Sequence, residues 1–200
     1  MSTKSKNKPL EEGLIGEGYF RFHERAFDHD GVVIDLGCLN WNWSAPFSGK
    51  KEVVGFDPLE KNCPSWATLR NEIVSVSDGT IELNMPIDNK SAKQAASAIS
   101  RDGISESVDL IKSISVNTLL NEFPKISVLK MNIEMAEYPL LVSAVHPIAD
   151  QLVVSFHDNS WTKSKTYPHS LTKMIIQYLS EWYHPIETYR SCGWWVFLKK

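Results

Sequence analysis

The sequence predicts an α/β chain built on an open, mostly parallel sheet, with helices on both faces and a C-terminal antiparallel hairpin. Three observations carry this. Four short runs are apolar almost without a break: "VVIDLG" from Val32, "KEVVGFDP" from Lys51, "ISVLKMNI" from Ile126 and "DQLVVSFHDN" from Asp150. Parallel strands covered on both faces read this way. Segments with helical patterning lie between and after them, which favours βαβ units over a sandwich. At the end of the chain "IETYR" and "WWVFLKK" flank Gly193, a hairpin signal.

Taken in order, residues 1–12 are polar and read as a loose tail, and residues 13–200 read as one domain. The mixed stretch from Gly13 to Gly31 carries Leu14, Ile15, Phe20, Phe22 and Phe27, and is expected to cap the sheet. Asp78-Gly79 marks a two-residue turn, predicting a hairpin over residues 71–86. The alanine-rich stretch 89–103 has almost no large apolar face, so helix and loop both stay open there. "LIKSISV" alternates like a strand, and "NTLLNEF" is a short helix or turn. "MAEYPLLVSAVH" is a helix that tolerates Pro139 because it falls in the first turn. Leu171, Met174, Ile175, Tyr178, Leu179 and Trp182 recur at helical spacing and predict a final helix packed on the sheet.

Composition narrows the function. The chain has 200 residues, is 42% hydrophobic and carries a net charge of -3. Charged residues form no basic stripe with interleaved aromatics, so nucleic acid is not the expected partner. The three cysteines, Cys38, Cys63 and Cys192, show no CxxC spacing, which argues against a zinc site or a disulfide framework. The polar start lacks a secretory signal, and no apolar run reaches the length of a membrane span. A soluble cytoplasmic protein is expected.

In open α/β sheets ligands bind at the carboxyl ends of the strands, where the strand order reverses. The residues there are Asp35 and Gly37, Asp57, the run from Lys130 to Glu134, and His157-Asp158-Asn159. A diphosphate needs several bare backbone amides, yet Gly37 is followed by Cys38, Leu39, Asn40, Trp41 and Trp43. Asp57 lies 20 residues beyond Gly37, the spacing at which an acid accepts hydrogen bonds from ribose hydroxyls. A nucleoside cofactor without a diphosphate clamp fits this pattern, and S-adenosylmethionine fits it better than NAD. The plainer reading is that Asp35 and Asp57 cap a helix and a turn.

The stretches "VVIDLGCLNWNWS", "VVGFDPLE", "VSVNTLLNEFPKISVLKMNIEMAEYPLL" and "QLVVSFH" resemble the FkbM-type S-adenosylmethionine-dependent methyltransferases, over about Gly31 to His157. The most specific part is "LKMNIEMAEYPLL", where Lys130, Glu134, Ala136 and Glu137 match the family pattern in place. The resemblance implies a Rossmann-like methyltransferase fold and O-methylation of a small-molecule hydroxyl, often on a sugar. It implies cofactor contacts from Asp35, Gly37, Cys38, Asp57 and Asn132, and a catalytic side with Lys130, Glu134 and His157. His157 is the expected general base, since an imidazole can be neutral at pH 7. Three positions depart from the family: Asn132 replaces an Asp, Met135 replaces a Gly, and Trp41 stands where a loop glycine is expected. They leave open a catalytically weakened or inactive binding protein on the same fold. Asp158 and Asn159 could supply oxygens to a divalent metal, but with neutral Asn132 as their third partner affinity would fall. A nicotinamide oxidoreductase is the third reading, disfavoured by the tryptophans. The loop tryptophans, Trp41, Trp43, Trp66 and Trp161, either stack on a ring substrate or simply close the cleft.

Overall fold

The computed structural model describes residues 10–18, 20–86, 105–157, 168–189 and 193–200. The strands are β1 (Leu14–Ile15), β2 (Phe22–His23), β3 (Val32–Leu36), β4 (Val53–Phe56), β5 (Thr68–Arg70) and β6 (Ile73–Ser75). They continue with β7 (Gly79–Pro86), β8 (Ser105–Ser115), β9 (Ile126–Met131), β10 (Gln151–Ser155), β11 (Tyr183–Tyr189) and β12 (Trp194–Lys199). The α-helices are α1 (Val116–Glu122), α2 (Glu137–Ser143) and α3 (His169–Leu179).

The class is α/β, with a mixed seven-stranded sheet in the order β11-β12-β10-β9-β3-β4-β5. The run β10-β9-β3-β4-β5 is parallel throughout, while β12 pairs antiparallel with both β10 and β11. The apolar runs explain this. Every residue of β3, β4, β9 and β10 is buried, as strands covered on both faces must be. The strand order reverses between β3 and β9, so the crevice of interest lies beyond their carboxyl ends.

The two faces are covered differently, and here one expectation is corrected. Among the described residues, all three α-helices pack on one face, where Leu119, Tyr138, Leu141, Ile175 and Leu179 meet Ile34, Leu129 and Val154. The other face carries Val33, Val128, Val153 and Val196, and is covered by Phe22, Ala26, Trp41, Trp43 and Phe47. Those residues come from β2, from short 3-10 turns and, for Trp43, from the turn between two of them, not from α-helices. Helices on both faces are therefore not seen. The aromatic rings of the N-terminal cap and of the loop after β3 fill that layer, with ring centroids 4.5–6.0 Å apart.

Two further expectations change. The hairpin over residues 71–86 does not form, because β8 runs between its arms: β6 pairs parallel with β8, and β7 pairs antiparallel with β8. The result is a separate three-stranded sheet in the order β6-β8-β7. On α3 the buried side is Thr172, Ile175 and Leu179, whereas Met174 is 66% exposed. Period alone locates a stripe but leaves its edges free by one residue. The tail expected over residues 1–12 falls mostly outside the described residues, and Leu10–Gly13 forms a single 3-10 turn. The stretch 89–103 lies wholly outside them. Among the described residues no helix is long and apolar enough to cross a membrane.

Candidate functional site

A cleft of about 610 Å³ opens at the carboxyl ends of β3, β4, β9 and β10. This is within the range of small-molecule and cofactor sites. Asp35, Gly37, Cys38, Asp57, Lys130, Asn132, Glu134 and His157 all line it. Eight residues from four separate stretches thus meet at one place, because parallel strands bring their carboxyl ends together. Asp158, Asn159 and Trp161 lie outside the described residues.

At the end of β3, Asp35 and Lys130 form a buried ion pair, with Nζ 2.8 Å from Oδ1. Lys130 Nζ also donates to the carbonyls of Gly37 at 2.7 Å and Leu36 at 3.2 Å. An ammonium has three protons, and all three have partners inside the protein. Lys130 thus ties β9 to the turn after β3 while it also lines the cleft. Gly37 has φ of 77°, and a Cβ there would sit 2.2 Å from the Asn132 carbonyl oxygen. The close approach that demands glycine is thus to the chain at the end of β9, rather than to a ligand. Cys38 is buried, and burial with the nearby charges of Asp35 and Asp57 pushes its thiol well above the ordinary range. It contributes a neutral thiol to the wall.

Asp57 serves in two ways. Its Oδ1 accepts from the amides of Leu59 at 2.9 Å and Glu60 at 3.0 Å, so the turn-capping reading holds for that oxygen. The side chain also lines the cleft, and Oδ2 makes no hydrogen bond to the described residues. Burial raises the Asp57 carboxyl, against the pull of the two amides. Behind it, buried Glu60 accepts from the amides of Asn40, Lys61 and Asn62 at 2.7–3.0 Å. Burial disfavours its charge, but those amides outweigh it and hold the carboxyl below the ordinary value. Glu60 thereby fastens the loop after β4 to the loop after β3. Nothing in the sequence marks it.

At the end of β9 the chain turns through two left-handed residues, Glu134 at φ 54° and Met135 at φ 85°. His157 sits against this turn. Its Nε2 is 3.2 Å from Glu134 Oε1, and its Nδ1 is 3.0 Å from Glu137 Oε1. Burial opposes the imidazolium, but the charge of Glu137 and the hydrogen bonds of Glu134 and Glu137 outweigh it and push the pKa up to about 10. With a carboxylate facing each nitrogen, the geometry favours the imidazolium over the neutral imidazole expected of a general base. Asn132 lines the cleft, and its backbone N–H donates to the Leu36 carbonyl at 3.1 Å.

Trp41 and Met135, where glycine is expected, keep a glycine-like backbone. Asn40 and Trp41 have φ of 64° and 57°, as Glu134 and Met135 do on the other side of the cleft. Such non-glycine pairs carry backbone strain, which surrounding packing must hold. Trp41 is held by an Nε1 bond to the Asn62 carbonyl at 2.7 Å, and by Trp66 at 5.9 Å. Its ring fills the space above Gly55, so it belongs to the core layer. Trp43 is also buried there, but it reaches the cleft wall, as do Phe20 and Trp194.

The small sheet contributes to the site, which the sequence does not reveal. Ile73, Val74 and Leu83 line the cleft beside Phe56 and Leu59 and make one wall apolar. Glu72 joins them, paired with Arg70 and Lys112. In all, four carboxylates (Asp35, Asp57, Glu72 and Glu134) line the cleft against two cations, Lys130 and His157. Both cations are already paired with carboxylates. Arg70 and Lys112 offset Glu72 as Lys130 offsets Asp35, so Asp57 is the lining carboxylate with no cation paired to it among the described residues, which suits neutral or cationic ligands. Among the described residues no group of three or more His, Cys, Asp or Glu is arranged to hold a metal ion. Compared with family models, curated proteins and solved structures, the chain gives no match.

Proposed function

We propose that this chain is an S-adenosylmethionine-dependent methyltransferase of the FkbM type, which methylates a hydroxyl of a sugar or another uncharged small metabolite. The observation that carries the reading is the cleft: acidic, partly apolar, and lying where the strand order reverses. Counted along the chain, the sheet's parallel strands stand in the order third, second, first, fourth, fifth, and a reversed last strand follows. A parallel sheet ending in that antiparallel hairpin is what a Rossmann-like methyltransferase fold calls for.

The residues present fit the cofactor. Asp57 Oδ2, with no hydrogen bond to the described residues, would accept from ribose hydroxyls. Phe56, Leu59, Ile73 and Val74 would hold the flat base. The excess of carboxylates suits a sulfonium and an ammonium, and would repel a diphosphate. This, with Gly37 occupied by its contact to Asn132, argues against NAD.

The cofactor supplies an electrophilic methyl group. The protein's part is to orient the acceptor and take up its proton. Glu134 lines the cleft, and His157 holds its Oε1, so the carboxylate is the group placed to receive that proton. Phe20, Trp43 and Trp194 offer aromatic surface to a ring-shaped acceptor. A second reading, a binding protein on this fold, is favoured by the way Lys130 and His157 are both tied into the protein.

Methyl transfer from labelled S-adenosylmethionine to a panel of sugars, glycosides and phenols separates the two. Glu134→Gln is expected to lower turnover by about 10²–10⁴-fold with cofactor affinity kept. Cofactor binding with no transfer to any acceptor favours the second reading, and no cofactor binding sinks both.

A further inference from the structure

Glu137 does not line the cleft and is fully buried in the first turn of α2. Burying a carboxylate is costly unless specific partners hold it. Its Oε1 has two: the Ile133 amide at 2.7 Å and His157 Nδ1 at 3.0 Å. The other face of the same imidazole meets Glu134 Oε1. One oxygen thus reaches the start of the left-handed Glu134–Met135 turn twice: the residue before it directly, and Glu134 itself through the ring.

We infer that Glu137 is a positioning residue, whose Oε1 joins the Ile133 amide to the His157 ring and so fixes the Glu134 carboxylate in the cleft. Two separable jobs follow. As a hydrogen-bond acceptor, Glu137 closes the turn at Ile133. As a charge, it keeps His157 an imidazolium, the only ring form with a proton on each nitrogen for the two carboxylates. Among the described residues, Glu134 from the turn and Glu137 from α2 are the charged groups paired with that ring.

Two measurements on the full chain test this, and neither uses cofactor or acceptor, so their failure leaves the methyltransferase reading standing. The first is NMR titration of the His157 ring; the second is amide exchange at Ile133, with Leu129 in β9 as reference. Wild-type His157 should keep its proton beyond pH 8. Glu137→Gln should lower the His157 midpoint by about one to three pH units, while Ile133 stays protected because the amide oxygen still accepts. Glu137→Ala should speed Ile133 exchange about 2–10-fold relative to Leu129. Glu134→Gln should lower the His157 midpoint less than Glu137→Gln. A wild-type His157 titrating near its ordinary value overturns the proposal without any variant. So does an unmoved midpoint in Glu137→Gln, or unchanged Ile133 exchange in Glu137→Ala.

Discussion

Lys130 shows how one side chain can hold two loops of a site together. Removing it leaves Asp35 buried with no cation, and neither Asp35 oxygen has another hydrogen bond in the described structure. Lys130→Met should therefore cost about 3–5 kcal/mol, read from urea denaturation; a loss below about 1 kcal/mol would reject the strut. His157 makes the pH prediction. Its folded pKa of about 10 stands above the ordinary 6.5. Its contribution to stability is thus fully present below pH 6.5 and is lost as pH rises through 10. Urea midpoints measured at pH 6, 8 and 10 should fall more steeply for wild type than for His157→Gln. Parallel slopes would show that the imidazolium is not stabilised. Asp57→Ala should weaken S-adenosylhomocysteine binding by about 1–3 kcal/mol, because ribose hydroxyls lose their acceptor. At this scale the sequence was legible in position and much less so in role. Spacing brought Asp35, Asp57, Lys130, Glu134 and His157 to one cleft. His157 also meets Glu137, whose carboxylate reaches it from α2, a contact no spacing announces.

The loops that frame the cleft are built from matched left-handed pairs, Asn40–Trp41 and Glu134–Met135. Met135 sets two effects against each other. Glycine would relieve a backbone penalty of about 1–2 kcal/mol. Removing a fully buried methionine side chain costs about 2–5 kcal/mol. The cavity is the larger effect, so Met135→Gly should lower stability by about 1–3 kcal/mol. A thermal melt above wild type would show that strain dominates. Strands β3, β4, β9 and β10 could be read from sequence because both of their faces are buried, which leaves an unbroken apolar run. The small sheet could not. The Asp78-Gly79 turn pointed to a local hairpin, and Asp78 instead accepts from the amide of Ser115, the residue that caps α1, at 2.8 Å. Long-range pairing with β8 overrode the local signal.

Across the whole molecule, the sheet order places one cleft at the reversal point and lines it with more carboxylates than cations. The parallel core and the closing hairpin were legible because their patterns are local. The uneven covering of the two faces was not: aromatic residues between Phe20 and Phe47 do the work expected of helices, and an aromatic-rich loop has no periodicity to announce it. What the cleft accepts is the central question, and its charge gives a direct test. Purified protein should be titrated in a calorimeter with S-adenosylhomocysteine and, in parallel, with NADH. Saturable binding of S-adenosylhomocysteine, weakened in Asp57→Ala, with no heat from NADH is the predicted result. NADH binding with no response to S-adenosylhomocysteine would contradict it.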